Sequence, residues 1–286
     1  TADSGCVLES VTVDGAPVSA GTQYTLTNIS ADHTVQVQFR DTTALPFTDV
    51  SSSAWYRPAV SYVYKNSLFN GTSASAFSPD ATMTRGMFIT VLSRLAGIPS
   101  QLDGELGLVG GTEVRLRAEP NTTSAILGYF DLYDVVSVLD SSGDWYKITA
   151  GGMTGWIRGD LLLVYDGRIT DLKDGQYYTN AVKWACLTGI ASSSGGNFRD
   201  SDSVLRQDMA VMLYKYVRAY GISLSGSSGG SFSDSSEISA YAVEAVNALH
   251  GAGIISGMGD GRFVPSGTAS RAQVAQIFLN FNDNIN

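Results

Sequence analysis

The stretch "SGTASRAQVAQIFLNF", residues 266–281, decides how this chain folds. Ser270 stands at an N-cap position and Gln273 follows three residues later, which makes a capping box. Val274, Ile277, Phe278 and Phe281 recur at i, i+3, i+4 and i+7, the apolar face of an α-helix. Arg271 falls in the first turn, at the positive end of the helix dipole, where a cation costs about 0.3–1 kcal/mol. A cation in that place needs a reason.

Two other stretches repeat the arrangement. Arg85 stands in "ATMTRGMFITVLSRLAG" and Arg206 in "SVLRQDMAVMLYKYV". Behind each arginine an apolar face recurs: Phe88, Val91, Leu92 and Leu95; Met209, Met212, Leu213 and Tyr216; Val274, Ile277, Phe278 and Phe281. An aromatic lies eight residues before each arginine, at Phe77, Phe198 and Phe263, and reads as core. An aspartate opens each copy, at Asp49, Asp171 and Asp234, and the aspartate-to-arginine spacings are 36, 35 and 37 residues. Seven residues after each aspartate comes Tyr56, Tyr178 or Tyr241, leading a first helix. The chain therefore holds three helix–loop–helix units. Units this small bury little alone and must pack on their siblings.

Composition bounds the rest. With 286 residues, 31 glycines, 7 prolines and 44% hydrophobic residues, the chain is folded and turn-rich. A net charge of −9 argues against nucleic-acid binding and against adhesion to anionic membranes, so any anionic partner must be caught by a few placed cations. No run of eighteen apolar residues predicts a membrane span, and Thr1 reads as the start of a processed or cut chain. Cys6 and Cys186 give no disulfide framework, and Cys186 reads as a buried free thiol.

The repeated residues resemble the S-layer homology family, the module that holds surface proteins on bacterial cell walls. "FTDVSSSAWYRPAV" (47–60) matches the family's opening, and "GMGDGRFVPSGTASRAQ" (257–273) matches its turn and second helix. The resemblance covers 47–98, 169–222 and 232–282. It implies a trio of repeats with approximate threefold symmetry and grooves between neighbours that bind an anionic, pyruvylated secondary cell-wall polysaccharide. On that reading Arg85, Arg206 and Arg271 each face a groove and hold the sugar's carboxylate, aided by free amides at the helix start. Asp49, Asp171 and Asp234 orient the arginines or accept hydrogen bonds from sugar hydroxyls. Trp55 stacks on a sugar face, and Gly71 and Gly257 let the backbone approach the ligand. The competing reading makes each Asp–Arg pair a buried structural ion pair, the aspartates turn caps, and Trp55 core. The copies differ. Copy one has Met87 where the family has an acid. Copy two has Ser193, Leu205 and Tyr177 at the glycine, cap and aromatic places, and copy three has Ala240 at the aromatic place. One or two competent grooves are expected.

Between the first two copies, short β-rich runs at 126–129, 135–139, 146–148 and 156–157 are separated by turns such as Ser142-Gly143 and Gly151-Gly152, which predicts a small barrel. "VRLRAEPNTTSAILG", "GDWYKI" and "GWIRGDLL" resemble the bacterial SH3 family, which often binds peptidoglycan peptides or bridges. Tyr129, Trp145, Tyr146 and Trp156 are candidates for a groove there. The insert reads equally as a spacer or a brace. Residues 6–40 read as β, with a hairpin signal at Asp14-Gly15 and alternation in "HTVQVQF", and "LSGSSGGS" (224–231) reads as a flexible linker.

The expected fold is thus α+β and multidomain: an N-terminal β segment (1–42), repeats at 43–100, 166–223 and 231–284, and an SH3-like barrel at 105–164. The two histidines, His33 and His250, show no metal or triad spacing, Asp200 and Asp202 sit in a polar loop, and "GDG" at 259–261 is too short for a calcium loop. The chain reads as a non-enzymatic anchor on a bacterial cell wall or S-layer, without cofactor or metal. Its partners are wall polysaccharide and, through the barrel, peptidoglycan. The alternative is a structural or assembly module of the surface layer with peptidoglycan contact through the barrel.

Overall fold

The apolar periodicity behind each arginine is realised as a helix that starts on that arginine. The computed structural model describes residues 6–18, 25, 32–41, 45–226 and 230–285. Among them are six α-helices: α1 (Arg57–Lys65), α2 (Arg85–Leu95), α3 (Thr179–Leu187), α4 (Arg206–Ala219), α5 (Val243–Gly251) and α6 (Arg271–Asp283). Pro58 sits in the first turn of α1, where its missing N–H costs nothing. The Thr84 hydroxyl caps α2 by accepting from the Met87 N–H at 3.2 Å, whereas Leu205 gives α4 no side-chain cap. Of the twelve positions assigned to the three apolar faces, all but Leu95 are buried.

The described residues form two compact units. The first runs to Ala81 and adds Arg271–Leu279. It holds β1 (Cys6–Val13), β2 (Ala16–Val18) and β3 (Val35–Asp41), an antiparallel sheet in the order β2-β1-β3. Asp14 and Gly15 turn the β1–β2 hairpin with φ of 51° and 78°, the left-handed pair that the Asp-Gly dipeptide predicted. The alternating Val35, Val37 and Phe39 of β3 stay exposed. Most of the segment between β2 and β3 lies outside the described residues. The helical part of this unit packs Phe69 and Phe77 at 5.9 Å, with Phe278 of α6 on Phe69 at 6.4 Å.

The second unit comprises Thr82–Ser270 with Asn280 onward. Here α2 packs on α3 and α4 on α5. The centre of the predicted linker at 224–231 lies outside the described residues. The unit also holds seven antiparallel strands: β4 (Glu105–Val109), β5 (Val114–Arg117), β6 (Ile126–Phe130), β7 (Val135–Ser142), β8 (Trp145–Ala150), β9 (Met153–Arg158) and β10 (Leu162–Val164). Their order is β10-β4-β7-β8-β9-β5-β6. The sheet coils about one aliphatic core of Val109, Val114, Leu116, Val136, Ile148, Ile157 and Leu162, closed by Phe130. Four of these strands coincide with the predicted runs. β4, β5 and β10 are additional, because "ELGLV" and "LLV" show no alternation and "VRLR" is only four residues long.

The inserted sheet is fastened to α3 and α4. Lys183, 8% exposed on α3, donates to Glu105 Oε2 of β4 at 2.9 Å. Asn180 donates to the Ser100 carbonyl at 3.2 Å. Tyr133, in the β6–β7 turn, stacks on Tyr220 at 5.6 Å, and the Tyr220 hydroxyl accepts from the buried Trp184 Nε1–H at 3.0 Å. Of the two sequence readings, spacer and brace, this geometry is that of a brace. Tyr220→Phe keeps the stacking and strands the indole donor, so it should lower stability by about 1–3 kcal/mol in urea unfolding. An unchanged midpoint would show that the bond carries no stability.

Candidate functional site

Each of the three copies is built around one peptide group. Asp49 accepts from the N–H of Phe77 at 2.8 Å and of Ser78 at 2.7 Å. Asp171 accepts from Phe198 and Arg199, both at 2.8 Å, and Asp234 from Phe263 and Val264, also at 2.8 Å. The carbonyl side of each phenylalanine is taken by an arginine of a different copy. Arg85 Nε donates to the Phe198 carbonyl at 3.0 Å, Arg206 Nε to Phe263 at 2.7 Å, and Arg271 Nε to Phe77 at 2.7 Å. Each guanidinium lies over that phenylalanine's ring, at 4.9, 4.9 and 4.6 Å. The three rings are 0–1% exposed, so Phe77, Phe198 and Phe263 are core, as their spacing predicted.

The candidate site residues are part of this arrangement. The amides at the helix starts are already used: Arg85 and Gly86 N–H donate to the carbonyls of Asp202 and Asp200, Arg206 and Gln207 to Gly267 and Pro265, and Arg271 and Ala272 to Ala81 and Pro79. The negative guest at each helix start is a set of turn carbonyls. Arg206 and Arg271 are 4% and 6% exposed, and their Nη2 atoms donate to Ser256 and Asn70 carbonyls at 2.9 and 2.6 Å. These two are nearly enclosed. Arg85 is less so: its Nη2 makes a 3.4 Å contact with the Ser192 carbonyl, and the residue lines a cleft. The aspartates cap turns through these amides; Asp49 is exposed, Asp171 half-buried and Asp234 buried. At Gly71 the space for a Cβ is filled by the Phe47 ring and the Ala76 carbonyl, 2.6 and 2.7 Å away, and at Gly257 by the Arg262 carbonyl at 2.7 Å. Both glycines are packed closely against their own copy's turn.

The cleft beside Arg85 has a volume of about 420 Å³. Its wall carries the cations Arg199 and Lys215, the backbone and hydroxyls of Ser192, Ser193 and Ser194, and an apolar floor that includes Ile190 and Met212. The Tyr241 hydroxyl donates to Asp208 at 2.6 Å across one side. Burial, the adjacent hydrogen bond and the Asp208 charge push the Tyr241 phenol up to about 12.

Tyr241 was missed as a site residue for an identifiable reason. Counting from the aspartate aligns it with Tyr56 and Tyr178. Those two are the N-cap residues of α1 and α3, whereas the N-cap of α5 is Ala242. A 3₁₀ turn at Ser235–Glu237 precedes α5, and the third copy is one residue longer there. Counting back from the helix aligns Tyr241 with Trp55 and Tyr177 instead. All three are surface aromatics, 63%, 50% and 60% exposed for Trp55, Tyr177 and Tyr241. Trp55 is therefore not core, and copy three keeps its aromatic. Asp208 and Arg199 carried no repeat signal, since the other copies lack them, and Lys215 has a cationic counterpart only in Arg94 of the first copy.

In the inserted sheet, Tyr146 packs partly against the aliphatic core, while Tyr129, Trp145 and Trp156 lie outside that core. Cys186 is free and largely enclosed, and burial pushes its thiol up to about 11. His33 contacts Asp14 at 2.7 Å beside the hairpin, and His250 stacks under Phe232 at 4.2 Å. Among the described residues no group of three or more His, Cys, Asp or Glu is placed to hold a metal ion, and no helix is long and apolar enough to cross a membrane.

The comparisons agree with this anatomy. Residues 46–87 and 231–275 match the S-layer homology domain, and residues 112–162 match the bacterial SH3 domain. The exoglucanase XynX of Acetivibrio thermocellus is 35% identical over 116 residues, which is 40% of this chain and 10% of that protein. The amylopullulanase of Thermoanaerobacterium thermosulfurigenes is 34% identical over 116 residues, 40% of this chain and 6% of that protein. An endoglucanase of Bacillus sp. (strain KSM-635) is 23% identical over 239 residues, 82% of this chain and 18% of that protein. The chain thus spans less than a fifth of these relatives' lengths. It contains S-layer homology and bacterial SH3 domains, and these mark a cell-wall-binding surface module. Residues 169–222, outside both matches, carry the same aspartate–phenylalanine and arginine pattern.

The aspartates make a pH prediction. At Asp49 burial opposes ionisation, but the Phe77 and Ser78 amides outweigh it and hold the carboxyl below its usual range. A depressed folded value gives stability that is present above the unfolded value of about 4 and lost as pH falls through the folded one. Asp49→Asn should lower stability by about 1–2 kcal/mol at pH 7 and shrink that penalty below pH 4, read as urea midpoints across pH 3–7. A pH-independent penalty would contradict the charge's role.

Proposed function

We propose that the chain is a non-covalent anchor on a bacterial cell wall, and that the cleft beside Arg85 binds an anionic secondary wall polysaccharide. The observation that carries this is the concentration of Arg85, Arg199 and Lys215 around one open cleft in a chain of net charge −9. A guanidinium already held by one carbonyl presents its remaining N–H groups in a fixed fork, suited to a carboxylate. The apolar floor suits the methyl group of a pyruvyl ketal, and Tyr241 suits stacking on a sugar ring. On this reading residues 169–222 are a third S-layer homology repeat, and the three arginine-to-phenylalanine links join one repeat to another. Two arginines, Arg206 and Arg271, hold the framework while Arg85 serves ligand. The curated relatives are named as polysaccharide-degrading enzymes, and a module of this kind would tether such a catalytic domain at the cell surface.

The test uses purified sacculi before and after chemical extraction of the secondary polymer. The full chain should sediment with untreated sacculi. Arg85→Ala and Tyr241→Ala should each weaken binding about tenfold or more; Tyr241→Ala should keep an unfolding midpoint near wild type, whereas Arg85→Ala also loses the bond to the Phe198 carbonyl and should be less stable by about 1.5–3 kcal/mol. Wild-type binding by the double variant would refute the cleft. Binding that survives extraction of the polymer would favour the alternative, peptidoglycan contact through the inserted barrel.

A further inference from the structure

The inserted barrel is acidic in sum, yet its few cations are not scattered. Between residues 101 and 165 the only lysines and arginines are Arg115, Arg117, Lys147 and Arg158. In β8, Tyr146, Ile148 and Ala150 pack on the core, so Trp145 and Lys147 point outward. In β9, Met153 and Ile157 pack inward, so Trp156 and Arg158 point outward. In β5, Val114 and Leu116 pack inward, so Arg115 and Arg117 point outward. All four cations therefore share the outer face of three adjacent strands. The pairing register sets aromatics among them: Trp156 lies directly between Lys147 and Arg117, Trp145 lies opposite Arg158, and Tyr129 lies opposite Arg115.

Three acids temper this face, one of them Asp144, whose charge acts on Arg158. Asp140 stands opposite Lys147, and Asp160 pairs with Arg158. Arg117 also donates to the Ser124 carbonyl at 2.8 Å. Arg115 is exposed and makes no ion pair among the described residues. The contacts that fasten the barrel to α3 and α4 run through Glu105 and Tyr133, neither of which belongs to β5, β8 or β9.

We propose that this outer face is a second carbohydrate site, which takes an anionic polysaccharide strand. β8 and β9 are interior strands paired along their length with β7 and with each other, and β5 is paired along its length with β6 and at Arg117 with β9, so none of the three is a free sheet edge for an added peptide strand. Recognition must come from side chains on an open surface. Rings flanked by cations match a sugar chain that offers C–H faces and carboxylates together. An acidic peptide offers the charge without the ring faces. The site shares no residue with the Arg85 cleft, and its test separates the two.

The probe is polygalacturonate, read by affinity electrophoresis of the full chain. Its methyl-esterified form and polyglutamate serve as the uncharged and the non-sugar comparisons. Retardation by polygalacturonate is expected for wild type and equally for Arg85→Ala. It should fall at least tenfold in the double variant Arg115→Glu, Lys147→Glu, and also in Trp156→Ala. The methyl ester and polyglutamate should retard the chain at least tenfold less. Loss of retardation in Arg85→Ala would assign the binding to the cleft. Wild-type retardation of the double charge variant, or of Trp156→Ala, would overturn the proposal. Equal retardation by polyglutamate would also overturn it, leaving a site for acidic chains in general.

Discussion

A single peptide group in each copy, the one joining Phe77 to Ser78, Phe198 to Arg199 or Phe263 to Val264, is gripped from both ends. A carboxylate from its own copy takes the N–H of the second residue, and a guanidinium from another copy takes the phenylalanine C=O and covers the ring. Donation and acceptance at one amide polarise in the same sense, so each bond strengthens the other in a low-dielectric interior. Aspartate and arginine are thereby coupled without touching. This answers the question raised by a cation at the start of each second helix. The dipole penalty of about 0.3–1 kcal/mol is offset by hydrogen bonds to a charged donor, each worth about 1.5–3 kcal/mol. The same helix starts gather two further turn carbonyls on their first amides.

That framework permits a division of labour. Where the guanidinium is sealed, as at Arg206 and Arg271, its cost of burial is met by carbonyls and an aromatic face, and it is committed to structure. Where the surrounding loop is polar and wider, as at Ser192–Ser194, the same residue type borders a cleft. The inserted barrel enters this economy by leaning on α3, whose C-terminal end leads into the loop that forms the cleft wall. Lys183 and Tyr220 tie the two together from opposite ends of the α3–α4 surface.

Much of this was legible in the sequence. Three spacings of aspartate to arginine, with aromatics at fixed offsets, gave the repeated units, their second helices and the buried phenylalanines. The resemblance to S-layer homology and bacterial SH3 domains pointed to the matched segments. What the letters could not reveal was direction. Asp and Arg at constant spacing read as partners or as ligand groups, because sequence does not say that one peptide group lies between them. Counting from the aspartate misplaced Tyr241 by one residue, since the spacing of 37 shows that the third copy is longer but not that the extra residue lies before α5. Asp208 was illegible because it occurs in a single copy. Tyr146 looked equivalent to its neighbour Trp145, and only the pleat shows that they face opposite sides.

The central claim is that aspartate and arginine act through a shared peptide, and a double-mutant cycle tests it most directly. Asp234→Asn, Arg206→Met and the double variant would be unfolded in urea at pH 7. Coupling through Phe263 predicts that the double variant is more stable than the sum of the single losses implies, by about 1–2 kcal/mol. Losses that add to within about 0.5 kcal/mol would show two independent contacts and contradict the account.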